Sequence, residues 1–365
     1  MARVKLGDVA REYKATIKNS AGLPVVGLEH LIPGEITLER WDMDTENTFT
    51  KGFKKGHMLF GRRRAYLKKA ALAPFDGICS GDITVIEAIP GKINPELLPF
   101  IIQNDLLFDY AVGNSAGSLS PRVKWESLKD YQFELPELSK QDGLVELLKA
   151  AHRAKAAYRQ QIIATDELVK SQFIEMISQS KRVNVLGDYI KRCTPKRCGD
   201  RTLPVLSVTK ERAIVFQESR FDSTVASVDK SNYIVAPRGY IVQGIHIDEG
   251  NFGYQNLVDE GIVSPAYKLW QIISSDVVPE LLEFYLRSEK AIEYYTRNFQ
   301  GTTVARRQTI KAEDLLNMPL NLPEKQVQQA FWTFVEQSDK SKFELQEAIV
   351  RIDNLIKSLI QQDTE

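Results

Sequence analysis

Apolar residues recur with heptad spacing from Asp142 to Ile177, a stretch without proline and without glycine after Gly143. Alternate steps of four and three residues from Leu144 reach apolar residues at seven of ten positions, counting Ala and Tyr. This spacing predicts one long helix with a narrow apolar seam, which is typical of a helix that packs against one partner helix. The predicted seam is Leu144, Leu148, Ala151, Lys155, Tyr158, Ile162, Thr165, Val169, Gln172 and Met176.

A second stretch of this kind, from Lys325 to Gln362, ends the sequence. Its seam is apolar at eight of ten positions. At about 1.5 Å per residue, each helix would be about 54 Å long, which is far beyond the usual three or four turns. We therefore expect the two helices to pack on each other as a coiled coil. The second predicted seam is Val327, Phe331, Phe334, Ser338, Ser341, Leu345, Ala348, Ile352, Leu355 and Leu359.

The two long helices belong to an internal repeat. Short segments recur in the same order in both halves of the chain, with an offset that increases from 180 to 185 residues. A period this long indicates two related domains, each followed by its helix, rather than a solenoid. The matched segments are KLGD at 5–8 with VLGD at 185–188, LPVV at 23–26 with LPVL at 203–206, GHMLFG at 56–61 with GYIVQG at 239–244, GICS at 77–80 with GIVS at 261–264, and KQ at 140–141 with KQ at 325–326.

The remainder of each half has mixed patterning. Gly81 to Ile89 and Tyr233 to Ile247 are rich in β-branched and apolar residues, which predicts strands. Leu97 to Tyr110 and Pro279 to Tyr295 carry apolar residues at helical spacing, which predicts helices. The fold class is therefore α+β, with domains at 1–141 and 181–324 and long helices at 142–180 and 325–365.

The most basic stretch, from Lys51 to Phe75, contains no acidic residue. It has eight cations within nineteen residues, and aromatic residues lie between them. Such a surface suits the closely spaced phosphates of duplex DNA, and we favour that interpretation over a solvated basic face. The candidate DNA-binding residues here are Lys54, Lys55, Arg62, Arg63, Arg64, Lys68 and Lys69.

A polar loop ends the mixed region of each half. Arg and Gln side chains can contact guanine and adenine edges, and hydroxyls can contact phosphates or bases. Either loop alone could be a plain surface turn, but their matching positions in the repeat favour a function. The candidates are Ser118, Arg122 and Lys124 in GNSAGSLSPRVK, and Gln300, Thr302, Thr303, Arg306, Arg307 and Gln308 in RNFQGTTVARRQTIK.

The basic segment KRCTPKRCGDR, from Lys191 to Arg201, opens the second half. It fits a loop on a phosphate backbone and a solvated loop equally well. Its candidates for DNA binding are Lys196 and Arg197. Where the first half has its arginine cluster, the second half has only Arg238, which is a further candidate.

Composition restricts the remaining possibilities. The chain has 365 residues, 43% of them apolar, and 48 cations balance 48 anions. Nucleic-acid binding must therefore depend on local patches rather than on net charge. The three cysteines fit a reducing compartment better than a disulfide framework, and no apolar run is long enough for a membrane span or a signal peptide. We expect a cytoplasmic protein.

Several motifs for catalysis are absent from the sequence. It contains no phosphate-binding GxxxxGK[ST], no GxGxxG after a strand, and no HExxH. Nor does it contain the Asn or Asp followed by two prolines and an aromatic residue that would grip a flipped adenine. Cys193 and Cys198 have no histidine nearby, which argues against a metal site. We expect neither a catalytic residue nor a metal in this chain.

In this order, and repeated, these features resemble the specificity (S) subunit of type I restriction–modification enzymes. The resemblance covers essentially the whole chain. It is carried by the KLGD and VLGD starts, by Gly52 to Arg62 with Gly77 to Ile86, and by the proline-containing entries into the helices. Those entries are LKDYQFELPELSKQ from Leu128 and LLNMPLNLPEKQ from Leu315.

The resemblance implies that each mixed region is a target-recognition domain that reads one half of a split, asymmetric DNA site. It implies that the two helices pair antiparallel and set the spacing between the domains. Two methyltransferase subunits would dock on the chain and methylate adenine with S-adenosylmethionine. A restriction subunit, dependent on ATP and Mg, could join them. This chain itself would hold no cofactor.

Two other classes remain open at this point. The chain could be a stand-alone DNA nuclease or methyltransferase with an unrecognised motif. It could also be a coiled-coil assembly protein whose basic patches are only solvated surface. Methylation or cleavage of DNA by the chain alone would indicate the first, and partner binding without DNA affinity would indicate the second.

Overall fold

The computed structural model describes residues 2–17, 22–43, 47–210, 213–217, 230–299 and 310–361. The chain divides into two compact units. The first unit consists of Met1–Ile162 and Glu344–Glu365, and the second unit is Ile163–Phe343. Both connections between the units lie within the long helices.

The first unit is α+β. Its helices are α1 (Leu6–Val9), α2 (Leu98–Ile102), α3 (Asp105–Gly113), α4 (Trp125–Leu128) and α5 (Leu138–Gln179), the last continuing into the second unit. Its strands are β1 (Ala2–Lys5), β2 (Ala10–Glu12), β3 (Pro24–Val26), β4 (Asp42–Met43), β5 (Lys51–Phe53), β6 (Met58–Gly61), β7 (Ala70–Leu72), β8 (Gly77–Cys79), β9 (Ile83–Ala88) and β10 (Gln132–Leu135).

The second unit has the same kind of composition. Its helices are α6 (Pro279–Leu286), α7 (Glu289–Arg297), α8 (Ala312–Leu316) and α9 (Lys325–Gln361), which continues into the first unit. Its strands are β11 (Ile190–Arg192), β12 (Leu206–Thr209), β13 (Ala213–Phe216), β14 (Ile234–Pro237), β15 (Tyr240–Gln243), β16 (Phe252–Tyr254), β17 (Glu260–Val263) and β18 (Lys268–Ile272).

The first unit contains two four-stranded sheets, in the orders β2-β9-β6-β7 and β4-β3-β8-β5, and a two-stranded sheet of β1 and β10. Successive residues of a strand point to opposite faces, so the sheet containing β6 has two cores. Met58 and Phe60 pack with the helices, and Leu59 packs towards the other sheet. The first unit is therefore layered as helices, sheet and sheet.

The second unit repeats the topology of the first of these sheets. Its main sheet has the order β11-β18-β15-β16, which matches β2-β9-β6-β7 strand for strand. Ile241 packs with the helices and Val242 with the opposite core, as neighbouring residues of β6 do. A parallel bridge between Val205 and Ile262 corresponds to the parallel pairing of β3 with β8. The predicted α+β fold and internal repeat are confirmed.

The start of each half is held by equivalent contacts. The carboxylate of Asp8 accepts from the Lys5 backbone N–H at 2.8 Å, and the Asp188 carboxylate accepts from Val185 N–H at 2.9 Å. The next backbone N–H, that of Leu6 in one half and of Leu186 in the other, donates to the segment just before the long helix, at 2.8 Å in both. These contacts explain why the LGD sequence recurs.

A buried glutamine ties each long helix to its unit. Gln141 Oε1 accepts from Asn94 N–H at 2.7 Å, and its Nε2 donates to the Pro136 carbonyl at 2.8 Å. In the second unit, Gln328 Oε1 accepts from Val278 N–H at 3.0 Å, and its Nε2 donates to the carbonyls of Pro323 and Asp276.

The predicted match of Gln141 with Gln326 is therefore wrong by two residues. Gln326 is exposed, whereas Gln141 and Gln328 are 1% and 0% exposed. The offset at the long helices is 187 residues. It is 184 residues at the helices that precede the polar loops, so the second half contains three additional residues between these two points. Sequence comparison matched the KQ pair at 325–326, because the sequence alone does not show which glutamine is buried.

The long helices run antiparallel in each unit. In the first unit, Lys155 Nζ of α5 contacts an Asp353 carboxylate oxygen of α9 at 2.5 Å, and Leu148 shares a core with Ile356. In the second unit, Lys342 Nζ of α9 contacts an Asp166 oxygen of α5 at 2.7 Å. The two ion pairs are equivalent, since both residues of one pair differ from their counterparts by 187. The predicted antiparallel helix pair is confirmed.

The seam predicted for the first helix is largely right, because Leu148, Ala151, Lys155, Val169 and Met176 are buried, although Phe173 is buried in place of Gln172. The seam predicted for α9 is wrong at three of its ten positions. Val327, Ser341 and Leu355 are exposed, and the inward residues are instead their neighbours Gln328, Lys342 and Ile356. Neighbouring apolar residues make both phases compatible with the sequence. Lys342 lies inward although it is polar, because its ammonium pairs with Asp166 and Asp339.

Three other predicted elements are interrupted. Leu97 to Tyr110 is two helices, because Asn104 caps the start of α3 by accepting from Leu106 N–H. Pro279 to Tyr295 breaks in the same way at the capping residue Ser288. Tyr233 to Ile247 is two strands joined by a turn at Gly239, whose φ of 88° matches the 86° of Gly56 in the first half. A positive φ favours glycine, which ends the strand there.

Candidate nucleic-acid interface

The basic stretch and the polar loop of the first unit meet at the end of β6. Arg62 O accepts from Val123 N–H at 3.0 Å, and Arg64 N–H donates to Pro121 O at 2.8 Å. Arg122 in turn exchanges backbone hydrogen bonds of 2.9 and 3.0 Å with Ala116. Residues 62–64 and 121–123 therefore form a short antiparallel pair, which joins two predicted motifs about 60 residues apart into one surface.

Asp82 lies beneath the arginines of this surface. Arg122 Nε and Nη2 contact its two carboxylate oxygens at 2.7 and 3.2 Å, and Arg63 Nη1 lies 3.5 Å from the second. The hydrogen bond from Arg122 holds the pKa of the Asp82 carboxyl below its usual range. Asp82 was not predicted, because it lies outside the acid-free basic stretch of Lys51 to Phe75 and no sequence pattern associates it with these arginines.

Arg62 occupies a different position in the cluster. Its Nε is buried, and no described residue accepts a hydrogen bond from it. A buried donor without a partner is costly by about 1–3 kcal/mol, so such a group is often satisfied by a water or ligand. Arg62 therefore offers an N–H next to the two arginines held by Asp82.

The loop ends in an exposed tip. Gly117 has a φ of 110°, which turns the chain at Ser118 and Leu119. Ser118 is exposed, and the Leu119 side chain is 92% exposed. An apolar side chain this exposed beside arginines can contact a thymine methyl group or a base step. Leu119 was also missed, because sequence reasoning considered only polar residues in this loop.

The other predicted cations of the first unit have varied partners. Lys54 pairs with Asp76 at 2.8 Å, and Lys68 pairs with Asp105 at 2.6 Å. Lys69 Nζ donates to the Leu28 carbonyl at 2.7 Å. The two carboxylates reduce the cationic charge available to a ligand. Three further candidates have exposed side chains, namely Lys55, Arg64 and Lys124.

The second-unit candidates are fewer among the described residues. Lys196 and Arg197 are exposed on a loop whose backbone pairs with β14, and Arg197 donates to the Asn232 side chain. Arg238 pairs with Asp259 at 3.0 Å in the turn before β15. The candidates Gln300, Thr302, Thr303, Arg306, Arg307 and Gln308 lie outside the described residues.

The turn that carries Asp82 recurs in the second unit without the acid. Asp82 N–H donates to Ser80 Oγ at 3.2 Å, and Ala266 N–H donates to Ser264 Oγ at 3.3 Å. By the registers of the two sheets, Ala266 occupies the Asp82 position and His246 the Arg63 position. The two units thus share a scaffold and differ in its chemistry at this edge.

The first unit also contains a cavity of about 210 Å³. Acidic and basic side chains line it, among them Asp105, Lys155 and Asp353, together with His152. Lys155 pairs with Asp353, and Lys357 contacts Asp105 at 2.9 Å. Burial lowers the pKa of His152 to about 4, and its ring lies against Phe100. The charges here largely satisfy one another, which fits packing rather than chemistry.

The described part of the chain contains no group of three or more His, Cys, Asp or Glu residues arranged to hold a metal ion. Cys198 is buried, and its Sγ contacts the Arg201 carbonyl at 2.9 Å. Within the same residues, no helix is both long enough and apolar enough to cross a membrane.

No protein-family model matches the sequence, and no curated protein matches it. Solved structures do. A chain of a type I R-M system, from a study of complex assembly and conformational transition, has a TM-score of 0.64 at 17% identity, covering 98% of this chain and 96% of that chain. The type I restriction–modification S subunit from M. genitalium has a TM-score of 0.54 at 12% identity, covering 100% and 96%.

A third structure, the HsdS subunit from Thermoanaerobacter tengcongensis, has a TM-score of 0.45 at 17% identity, with coverage of 98% and 95%. At these identities the first two likenesses establish the fold. The chain has the fold of a type I R-M system chain and of a type I S subunit over almost its entire length.

Proposed function

We propose that this chain is the DNA-recognition subunit of a type I restriction–modification complex. The observation that carries the proposal is one scaffold built twice with different side chains at the same edge. A scaffold of two related units suits a bipartite site, and different edges suit an asymmetric one, because base-edge contacts set sequence preference while phosphate contacts position the protein. The fold shared with a type I S subunit supports the same role.

The proposed interface of the first unit is the surface around Arg62, Arg63, Arg64, Ser118 and Arg122. Guanidinium groups can bind guanine O6 and N7 with two hydrogen bonds, and they also bind phosphates. Lys54, Lys55, Lys68, Lys69 and Lys124 would contribute contacts to the backbone of the duplex. In the second unit we assign this role to Lys196, Arg197, Arg238 and the candidates of the 300–308 segment.

We further propose that methyltransferase subunits dock on the long helices. These helices keep large apolar side chains exposed, which is typical of a surface that a partner covers. Examples in the first unit are Val350 and Leu355, at 54% and 45% exposure, and examples in the second unit are Ile174 and Phe343, at 66% and 62%. The similar chain from a type I R-M system belongs to a study of complex assembly.

In this proposal the chain contributes recognition and assembly, and its partners contribute catalysis. The methyltransferase subunits would use S-adenosylmethionine to methylate adenine. A restriction subunit, where present, would use ATP and Mg. The cofactors would thus be held outside this chain.

Methylation-aware sequencing of host DNA, with and without this chain, tests the proposal. We expect a methylated bipartite motif that disappears when the chain is deleted, and co-purification of the chain with a methyltransferase. An unchanged methylation pattern would contradict the proposal. Methylation or cleavage by the purified chain alone would instead indicate a stand-alone enzyme.

A further inference from the structure

Asp82 is placed to orient arginines rather than to contact a ligand. Its side chain is 17% exposed, whereas those of Arg63 and Arg122 are 40% and 42% exposed. The carboxylate therefore faces inward and the two guanidinium groups are more accessible to solvent. Each guanidinium has five N–H donors, which is more than these contacts occupy, so N–H groups remain for a ligand.

Ser120 completes the support. Arg63 Nε donates to its Oγ at 2.6 Å, and Arg122 Nη1 lies 3.5 Å from its carbonyl oxygen. The backbone of Asp82 belongs to the same assembly, because its carbonyl accepts from Arg62 N–H at 3.0 Å. Contacts to both guanidinium groups and to the backbone thus restrain their orientation.

A carboxylate in this position affects affinity and selectivity in opposite directions. It cancels one positive charge, which reduces the attraction of the surface for any phosphate backbone. It also fixes the planes of two guanidinium groups, and a fixed plane is what a bidentate contact to a base edge requires. Removal of the carboxylate would leave more net positive charge on more mobile side chains.

We propose that Asp82 is a positioning residue that determines the sequence selectivity of the first unit, by holding Arg63 and Arg122 in one orientation towards the bases. This inference rests on the proposed function, since it concerns how the proposed interface reads duplex DNA. It assigns selectivity to an acidic residue within a basic surface.

The second unit supplies the matched reference. Its equivalent turn has Ala266 at the Asp82 position and keeps the same hydrogen bond to a serine hydroxyl. The turn therefore tolerates alanine, and Asp82→Ala introduces the residue that the other half already has. Any consequence for sequence reading is confined to the half-site of the first unit.

The test uses the complex of the full chain with its methyltransferase subunits. Duplexes from a random-sequence library are selected by binding and then sequenced, for the wild type and for Asp82→Ala, Asp82→Asn and Asp82→Glu. We expect Asp82→Ala and Asp82→Asn to lose about tenfold or more in discrimination at one half-site, while the other half-site is unchanged. Glu should restore part of the loss.

A second measurement separates positioning from a merely structural role. Asp82→Ala and Asp82→Asn should bind an unrelated duplex more tightly, by severalfold, with a steeper dependence on salt. A structural defect would instead weaken all binding. Asp130→Ala, which removes an acid paired with Lys5, is the control and should leave both half-site preferences intact, since neither residue belongs to the proposed interface.

Unchanged selectivity in Asp82→Ala and Asp82→Asn would overturn the inference, as would an equal loss at both half-sites. If Asp82→Ala misfolds, the nearly isosteric Asp82→Asn decides the question. If the wild-type complex selects no bipartite sequence, the proposed function fails instead. The two failures are thus distinguishable.

Discussion

The first and second units differ least where they build their fold and most at one sheet edge. Both use an aspartate to cap the LGD turn, a buried glutamine to hold the long helix, and a tyrosine hydroxyl that donates to a carbonyl, from Tyr110 at 3.1 Å and Tyr294 at 2.8 Å. At the end of β6, however, Arg63 lies over Asp82, whereas the equivalent residues of the second unit are His246, after β15, and Ala266, before β18.

This comparison separates structure from recognition within one chain. A contact present in both halves is explained by the fold that both must form. A side chain present in only one half is not required by the shared fold. It can therefore contact the DNA half-site of its own unit. The following experiments alter shared contacts and unshared ones in turn.

The largest effect is expected at the buried glutamines. Gln328→Leu leaves the Val278 N–H and the carbonyls of Asp276 and Pro323 without their side-chain partner, and each stranded buried group costs about 1–3 kcal/mol. We expect a loss of about 3–5 kcal/mol in the free energy of unfolding, measured with urea. Gln141→Leu should cause a similar but smaller loss in the first unit, because it makes one carbonyl contact fewer.

Gln326→Leu is the control for these variants, since Gln326 is exposed. It should change the free energy of unfolding by less than about 0.5 kcal/mol. An equal effect of Gln326→Leu and Gln328→Leu would break the equivalence between Gln141 and Gln328.

Replacement of Arg62, Arg63 and Arg64 by alanine tests the sheet edge at which the two units differ. We expect affinity for the specific duplex to fall about 100-fold, and the slope of log affinity against log salt to decrease by about three, because up to three phosphate or base contacts are lost. Fluorescence anisotropy over a salt series measures both quantities.

A matched triple variant, with Lys14, Lys92 and Lys129 replaced by alanine, removes three exposed cations elsewhere in the first unit. It should leave the affinity within about threefold of the wild type, since screening weakens distant charges. Equal weakening by both triple variants would show that Arg62, Arg63 and Arg64 contribute only general positive charge.

Acid should destabilise the first unit through His152. Burial lowers the pKa of this imidazole from 6.5 to about 4, so the folded chain keeps it neutral while the unfolded chain binds a proton. Stability that is present above pH 6.5 is therefore lost as pH falls towards 4, by about 2 kcal/mol once partial exposure is considered. Hydrogen exchange at α3, compared with α7, locates the loss.

His152→Gln removes this proton linkage and is the reference for the measurement. The stability difference between wild type and variant should change between pH 7 and pH 4 in favour of the variant. A difference that stays constant over this range would show that His152 does not titrate on unfolding.

The smallest effects are expected at the equivalent ion pairs of the helices. Asp353→Asn should lower the free energy of unfolding by about 1 kcal/mol, and Asp166→Asn by about 0.5 kcal/mol or less. Lys155 is the less exposed lysine, and Lys342 keeps Asp339 as a second partner at 2.7 Å. Thermal unfolding of the two variants measures both losses of stability. A larger loss of stability in Asp166→Asn than in Asp353→Asn would contradict this prediction.

The sequence alone was sufficient for the two long helices, the internal repeat and the α+β class. Heptad spacing and β-branched runs are local patterns, and the duplication made each half support the interpretation of the other. The same reasoning named Arg62, Arg63 and Arg122 as candidates for DNA binding. It could not show that these three residues share one surface, because backbone pairing between residues 62–64 and 121–123 brings them together.

Only the tertiary structure decided the choices between close alternatives. It selected Gln328 over Gln326, Lys342 over Ser341 at the seam of α9, and a helix break at Asn104. It also placed Asp82 beneath the arginines. In each case the local pattern allows two answers, and packing against residues distant in sequence makes one of them lower in free energy.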